Sequence, residues 1–291
     1  MRVLVTGAGG QVGAAAVHRG GAGAVGLDRA ALDVTDAAAV RRAVREHGPD
    51  VVVNAAAYTA VDRAEAEPDR AFAVNAGGAA NVAEACARSG VPLVHLSTDY
   101  VFDGAKGAPY APDDPPAPLG VYGASKAAGE TAVRERCDRH LIVRTAWVFG
   151  GHAGFVATML RLASERDRLG VVADQWGHPT PAEDVARACL HVARLAAEDR
   201  APWGTWHVAG EPLATWHDLA SEAVRAGAER GAVPRVPVER VATADYPTAA
   251  RRPARVELEL GPSRAALGLD PIDWRGGVEA AVAEWQAQNA E

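Results

Sequence analysis

A tyrosine and a lysine stand four residues apart in the segment Tyr122-Gly-Ala-Ser-Lys126. Residues i and i+4 of an α-helix share one face, so the phenol and the ammonium can converge there. A neighbouring cation stabilises a phenolate and lowers the pKa of the tyrosine, which can then pass a proton to a developing alkoxide. The chain has five tyrosines and only two lysines, so chance gives about 0.03 such spacings. The pair therefore predicts a proton-transfer site.

A hydroxyl group precedes this pair, in the segment Leu96-Ser-Thr-Asp-Tyr-Val-Phe102. Residues 93–97 are predicted to form a buried strand, which places Thr98 at its carboxyl end. Open α/β sheets bind their ligands at that edge. We therefore expect Thr98 to hydrogen-bond the same substrate oxygen as Tyr122.

Glycines recur at Gly7, Gly10 and Gly13, between a predicted strand and a predicted helix. The spacing alone is a weak signal in a chain with 30 glycines, and its position carries the prediction. Glycines there allow a tight turn and close approach of the backbone to a pyrophosphate. The helix N-terminus then supplies free N–H groups and a positive dipole. The segment predicts a dinucleotide-binding turn.

The second predicted strand ends at Asp28, which Arg29 follows. A carboxylate at this position can bind the ribose hydroxyls of NADH, whereas an adjacent arginine can meet the 2′-phosphate of NADPH. The sequence leaves both cofactors open. Small side chains after the third strand, in Asn54-Ala-Ala-Ala57, let a cofactor lie against the sheet edge, and Asp33-Val34 could reach its adenine.

Short apolar runs alternate with alanine-rich helical stretches over the first half of the chain, which predicts a doubly wound parallel sheet of the Rossmann type. The predicted strands are 3–6, 24–27, 51–54, 93–97 and 141–145, and the predicted helices are 11–19, 36–47, 68–89 and 122–138. Frequent prolines break the later chain into short pieces. We expect a dinucleotide-binding domain of residues 1–150 together with 182–210, and a smaller substrate domain of residues 151–181 and 211–291.

Composition excludes several functional classes. The net charge of −7 argues against a nucleic-acid surface, and no run of 18 apolar residues predicts a membrane span. The start of the chain lacks the apolar core of a signal peptide. The three cysteines are widely spaced, and no Cys or His motif indicates a metal. We expect a cytoplasmic protein with no metal site and no membrane or nucleic-acid partner.

Motifs along nearly the whole chain resemble one family of extended short-chain dehydrogenase/reductases, the dTDP-4-dehydrorhamnose reductases. The segments STDYVF, RTAWV and DQWGHPT are the most specific to that family. The matching segments are GAGGQVG (7–13), ALDVTD (31–36), VVVNAAAYTAVDRAEAEP (51–68), VNAGGAANVA (74–83), HLSTDYVFDG (95–104), VYGASKAAGE (121–130), RTAWVFG (144–150), DQWGHPT (174–180) and YPTAARRP (246–253).

The resemblance implies reduction of the C4 ketone of a dTDP-linked 6-deoxyhexose by hydride transfer from NADH or NADPH. With the motifs above, it implies three sets of residues. The catalytic set is Thr98, Tyr122 and Lys126, in which Tyr122 donates the proton while Lys126 tunes it and holds the nicotinamide ribose. The cofactor set is Gly7, Gly10, Gln11, Val12, Asp28, Arg29, Asp33, Val34, Ala55, Ala56, Ala57, Tyr58, Asn75, Tyr122 and Lys126. The substrate set is Thr98, Asp99, Tyr100, Tyr122, Trp147 and Arg252.

Two features of the expected sugar-nucleotide site come from residue chemistry. Trp147 offers a flat wall for a sugar, and Arg251 and Arg252 could clamp a diphosphate through bidentate bonds. One feature departs from the family, which often has a serine three positions after the late Arg-Pro. Here Arg252-Pro253 leads to Ala254, Arg255 and Val256, which leaves open a different 4-keto-6-deoxyhexose, such as one of a specialised antibiotic pathway.

Three rival functions can be compared with the same residues. A sugar-nucleotide 4,6-dehydratase usually has an Asp-Glu pair after the threonine, and Asp99-Tyr100 lacks the second acid. A C4 epimerase shares the Thr, Tyr and Lys set and stays open. A non-catalytic regulatory subunit is disfavoured because that set is intact. Some members of the family pair through the first domain, so a homodimer also stays open.

Overall fold

A computed structural model describes residues 1–151 and 153–289. The strands are β1 Val3–Thr6, β2 Ala24–Leu27, β3 Val51–Asn54, β4 Leu93–Thr98, β5 His140–Thr145, β6 Val148–Phe149, β7 Leu169–Val172, β8 Trp176–Gly177, β9 Thr180–Pro181, β10 Gly204–His207, β11 Gly210–Glu211, β12 Ala214–Thr215, β13 Val238–Val241 and β14 Ile272–Asp273. The helices are α1 Gln11–Gly20, α2 Ala37–His47, α3 Val61–Ala66, α4 Pro68–Phe72, α5 Ala79–Ser89, α6 Val121–Arg136, α7 Phe155–Glu165, α8 Ala182–Ala197, α9 Trp216–Glu229, α10 Gly261–Leu267 and α11 Trp274–Gln288.

The central sheet has six strands in the order β2-β1-β3-β4-β5-β10, and all of its pairs are parallel. Strands β1, β3 and β4 are buried along their whole length, as expected for strands that are covered on both faces. The predicted doubly wound Rossmann-type fold is confirmed. The five predicted strands are confirmed to within one residue at each end.

Helices cover both faces of this sheet. Helices α1 and α8 pack with the side chains of alternate strand positions on one face, and α2 and α5 pack on the other. Helix α6 lies on the second face, against α5 and β4. The segment that follows α8 adds β10 beside β5, so residues from the second half of the chain complete the sheet.

The predicted helix 68–89 is interrupted in the structure. It is divided into α4, a π-helical turn at Ala73–Gly78, and α5. The short helix α3 precedes it and was not predicted. Wider turns of this kind are frequent at functional sites, and this one turns the buried side chain of Asn75 towards Tyr58 and Ser125.

The later chain forms a smaller helical unit beside the sheet. Helices α7, α9 and α11 pack around a second apolar core with β7 and β12. Helix α9 begins with a capping box, in which Thr215 and Asp218 each bond the other's backbone N–H; such a box satisfies two otherwise free donors at the helix start. The box fixes the position of Trp216, the first residue of α9.

Cys86, Cys137 and Cys189 are unpaired and buried, and burial raises the pKa of each thiol. Within residues 1–151 and 153–289, no helix is long and apolar enough to cross a membrane.

A buried ion pair joins the three central elements β4, β5 and α6. Arg144 donates to both carboxylate oxygens of Glu130, at 2.8 and 2.7 Å, and both side chains are at most 1% exposed. Ser97 donates a further bond of 2.6 Å to Glu130. Burial raises the pKa of the Glu130 carboxyl, but the bonds and charge of Arg144, together with smaller effects of Ser97 and Arg134, outweigh burial, so the pKa lies below its usual value.

Glu130→Gln should lower the free energy of unfolding by about 3–5 kcal/mol, because it leaves the Arg144 charge buried without its counter-charge. Urea denaturation measures the change. The matched control is Glu135→Gln on the same helix, whose exposed pair with Arg136 is worth about 0–1 kcal/mol. Equal losses for the two variants would show that the buried pair does not hold these elements together.

Candidate active site

A cleft of about 800 Å³ opens at the carboxyl edge of the sheet. The chain leaves β1 towards β2 on one side and returns to β3 on the other, so the strand order reverses at β1. Ligands of open α/β sheets bind outside such a point. The cleft brings together all but three of the predicted site residues, the exceptions being Asn75, Arg251 and Arg252.

The glycine-rich turn after β1 has no room for side chains. Gly7 has a φ of +71°, a conformation that glycine tolerates best, and a Cβ there would lie 2.5 Å from the backbone nitrogen of Ala56. A Cβ on Gly13 would collide with the carbonyl of Gly7. The turn is therefore pressed against the end of β3.

The start of α1 is suited to an anion. No side chain caps it, and its first turn carries no acidic residue, so its first N–H groups can bind an external acceptor. The amide oxygen of Gln11 is buried in the cleft with no hydrogen-bond partner among the described residues. The turn and the helix start fit the pyrophosphate of a dinucleotide.

One end of the cleft holds Asp28, which the sequence predicts for the ribose of a cofactor, and Asp33, which it predicts for the adenine. Asp28 accepts the Ala31 N–H at 2.9 Å, and Asp33 accepts both the N–H and the hydroxyl of Thr35, at 2.9 and 2.8 Å. The bonds from Thr35 lower the pKa of Asp33. Both carboxylates shape their own loops. Arg29 lines the cleft beside them.

Thr98, Tyr122 and Lys126 meet at the other end of the cleft. Thr98 ends β4 and donates to Asp99 at 3.1 Å. Tyr122 and Lys126 project from the first turns of α6, and the ammonium of Lys126 donates to the carbonyl of Leu96 at 2.6 Å. This bond ties the lysine to β4, next to the hydroxyl of Thr98.

The pKa values at this end differ from the sequence prediction. We expected Lys126 to lower the pKa of Tyr122. Burial instead raises the pKa of Tyr122 to about 12, against a smaller lowering by the hydroxyl of Thr98. Burial also lowers the pKa of Lys126 to about 8, which Glu130 partly opposes. Desolvation disfavours the phenolate of Tyr122 and the ammonium of Lys126. For Tyr122, this effect of burial is larger than the effects of the neighbouring side chains.

Asp99 and Tyr100 follow Thr98 on a single 3₁₀ turn. Burial raises the pKa of Asp99 to about 7, although the Thr98 hydroxyl and backbone N–H groups stabilise its charged form. The ring of Tyr100 meets that of Tyr122 edge-on, with centroids 5.6 Å apart. The turn thus places a carboxyl that titrates near neutral pH beside the reactive hydroxyls.

An aromatic stack forms the wall opposite this turn. Trp147 has a φ of +42°, and its indole stacks on Trp216 with centroids 3.7 Å apart. A Cβ on Gly177 would lie 2.5 to 2.7 Å from three consecutive indole atoms, the middle one nearest, so Gly177 lies over a ring face rather than at the ring edge. With Phe155 tilted against Trp216, the protein covers both faces of Trp147, and the ring presents its edge to the cleft.

Three predicted residues lie outside the cleft lining. The amide of Asn75 bonds the backbone N–H and carbonyl of Tyr58, at 2.8 and 3.0 Å, and so fixes a lining residue from behind. Arg252 forms a bidentate pair with Asp62, both bonds 2.7 Å long. Arg251 borders a small cavity next to the cleft.

The lining residues that were not predicted include Thr145, Phe155 and Trp216. Thr145 stands directly opposite Thr98 in the pairing of β4 with β5. Thr145 also ends a predicted strand, so the tendency of ligands to bind at the carboxyl ends of parallel strands, which indicates Thr98, indicates Thr145 as well. Phe155 and Trp216 come from the smaller unit, and nothing in their spacing indicates that they approach the sheet. In the described part of the chain, no cluster of three or more His, Cys, Asp or Glu side chains could hold a metal ion.

Comparison with known proteins shows the family to which the chain belongs. Residues 1–287 match the model of the RmlD substrate binding domain family. The chain belongs to this family. A dTDP-4-dehydrorhamnose reductase from Aggregatibacter actinomycetemcomitans is 42% identical over 281 residues, which cover 94% of this chain and 96% of the relative.

Solved structures extend the comparison of this RmlD family member. A dTDP-4-dehydrorhamnose reductase from Clostridium acetobutylicum superposes with a TM-score of 0.91 and 34% identity, covering 98% of this chain and all of the other. A dTDP-4-dehydrorhamnose reductase from Bacillus anthracis, solved in complex with NADP, has a TM-score of 0.89 and 36% identity, covering 97% and 99% of the two chains.

The stacked tryptophans have an optical consequence. Two indoles at this separation couple their electronic transitions, so the far-ultraviolet circular dichroism should contain an exciton couplet. Trp147→Leu and Trp216→Leu should each remove it, whereas Trp176→Leu, a partly exposed tryptophan outside the stack, should leave it unchanged. A couplet that survives in either of the first two variants would contradict the stacking.

Proposed function

We propose that this protein is an NAD(P)H-dependent reductase of the C4 ketone of a dTDP-4-dehydro-6-deoxyhexose, of the dTDP-4-dehydrorhamnose reductase type. The observation that carries the proposal is the meeting of Thr98, Tyr122 and Lys126 in the same cleft as the glycine-rich turn. The names of the relatives, over nearly the whole length of both chains, support the sugar nucleotide as substrate.

A bound nicotinamide cofactor would supply the hydride. With a pKa of about 12, Tyr122 carries its proton at neutral pH and can donate it to the alkoxide that forms at C4. The hydroxyl of Thr98 offers a second hydrogen bond to the same oxygen. Below pH 8 the ammonium of Lys126 keeps its charge and stabilises the phenolate that Tyr122 leaves behind.

The same proposal also gives roles to other residues in and beside the cleft. Asp99, Tyr100 and the edge of Trp147 would contact the sugar. Arg29 lies where a 2′-phosphate would be bound, which together with the NADP complex of the Bacillus anthracis relative favours NADPH over NADH. Arg252 would reach a diphosphate only by exchanging its bonds with Asp62.

Incubation with a dTDP-4-keto-6-deoxyglucose, alone and with a 3,5-epimerase, tests the proposal directly. We expect the absorbance of reduced cofactor to fall with the epimerised sugar, faster with NADPH than with NADH, and NMR of the product identifies the C4 configuration. Turnover of the unepimerised sugar alone would instead indicate a different deoxysugar. Unchanged absorbance with both sugars and both cofactors would rule out this function.

Tyr122→Phe should reduce kcat by about 10²- to 10⁴-fold, because it removes the proton donor and keeps the ring. Tyr246→Phe serves as the control, since Tyr246 is 55% exposed and does not line the cleft. If Tyr122→Phe turned over at the wild-type rate, the proton would have to come from another group.

The pH dependence should follow Lys126. We expect kcat/KM for the cofactor to fall above pH about 8, where Lys126 loses its charge, because this parameter reports ionisations of the free enzyme. Lys126→Arg should move the decline beyond the measured range, as arginine stays protonated. Lys106→Met should leave the decline in place. A decline that Lys126→Arg does not move would assign it to another group.

A further inference from the structure

Thr145 carries an unsatisfied buried hydroxyl in the cleft. Thr145 is only 7% exposed, and its Oγ1 has no hydrogen-bond partner within residues 1–151 and 153–289. Buried polar groups are costly without a partner, and most of them have one. Among the cleft residues only Gln11 shares this property, and Gln11 already belongs to the proposed pyrophosphate turn.

The position of Thr145 indicates which ligand its hydroxyl meets. Thr145 shares its side of β5 with Leu141 and Val143, which pack on the face that carries α1 and α8. Its hydroxyl therefore opens on the side of the glycine-rich turn, whereas Tyr122 and Lys126 approach from α6 on the other side. Asp99 and Tyr100 lie beyond Thr98, on the 3₁₀ turn.

The chain after β5 leads from Thr145 back to the cofactor turn. A Cβ on Gly150 would lie 3.2 Å from the side-chain oxygen of Gln11, and one on Gly154 would lie 3.2 Å from its nitrogen. The two unsatisfied groups thus stand on one wall, with Gln11 at the pyrophosphate end and Thr145 beside Thr98. A dinucleotide that ran from the turn to Thr98 would come within reach of Thr145, which stands opposite Thr98 in the pairing of β4 with β5.

We propose that the hydroxyl of Thr145 hydrogen-bonds the carboxamide of the nicotinamide ring and thereby fixes the rotation of that ring. A carboxamide offers both a donor and an acceptor, and a hydroxyl can pair with either. Because the carboxamide is attached next to the carbon that releases the hydride, this bond aims that carbon at the ketone. The inference rests on the proposed function, since it needs a nicotinamide cofactor.

Calorimetric titration with NADP⁺ tests the assignment without turnover. Thr145→Val keeps the shape and removes the hydroxyl, and it should weaken binding by about 2- to 10-fold, the range expected for one hydrogen bond. Thr145→Ser should restore most of the affinity. The unfolding midpoint of Thr145→Val should not fall, because no protein bond is lost, whereas Thr180→Val should lower it by removing the bonds of Thr180 to His178 and Gly210.

Two cofactor analogues show whether the carboxamide is the partner. The 3-acetylpyridine analogue replaces the carboxamide NH₂ by methyl, and the thionicotinamide analogue replaces its oxygen by sulfur. The wild-type protein should bind at least one of them more weakly than NADP⁺. In Thr145→Val, the affinities for NADP⁺ and for that analogue should lie closer together.

Two results would overturn the inference. In one, Thr145→Val keeps the wild-type preference for NADP⁺ over both analogues. In the other, it changes only the KM of the sugar nucleotide, which would place the hydroxyl on the substrate. Failure of the wild-type protein to bind NADP⁺ or NAD⁺ at all would overturn the proposed function as well, so the two failures can be told apart.

Discussion

The arrangement of the site depends on the buried ion pair between Arg144 and Glu130. Thr98 comes from β4, Tyr122 from α6 and Thr145 from β5, and these three elements meet at that pair. Ser97 and Arg144 are opposite one another in the pairing of β4 with β5, one residue before Thr98 and Thr145. A bidentate pair permits little sliding, so it holds the reactive residues in register.

The same burial that holds these residues also sets their protonation states. Desolvation keeps the proton on Tyr122 and brings the pKa values of Lys126 and Asp99 to within reach of neutral pH. A donor that is reluctant to ionise suits the reduction of a ketone, because the alkoxide it must protonate is a far stronger base. In the reverse reaction a neighbouring positive charge would be needed to make the phenolate.

Patterns among residues close together in the sequence predict the sheet and many of the residues that line the cleft. Strand periodicity and the glycine turn locate Gly7 and Gly13, and helical spacing locates Tyr122 and Lys126, because these are relations between near neighbours. Trp216 and Phe155 could not be found in this way, since their approach to Trp147 depends on how α7 and α9 pack on the sheet. The raised pKa of Tyr122 could not be predicted from the sequence either, because it follows from burial rather than from the lysine four residues away.

The buried thiols make the protein a convenient host for site-specific probes. Cys86, Cys137 and Cys189 lie inside the fold with raised pKa values, so in the folded state they react slowly with maleimides, which attack thiolates. A cysteine introduced at an exposed position could be labelled selectively while the native ones are kept. A dye pair placed on the sheet and on α9 would then report the width of the cleft in single molecules.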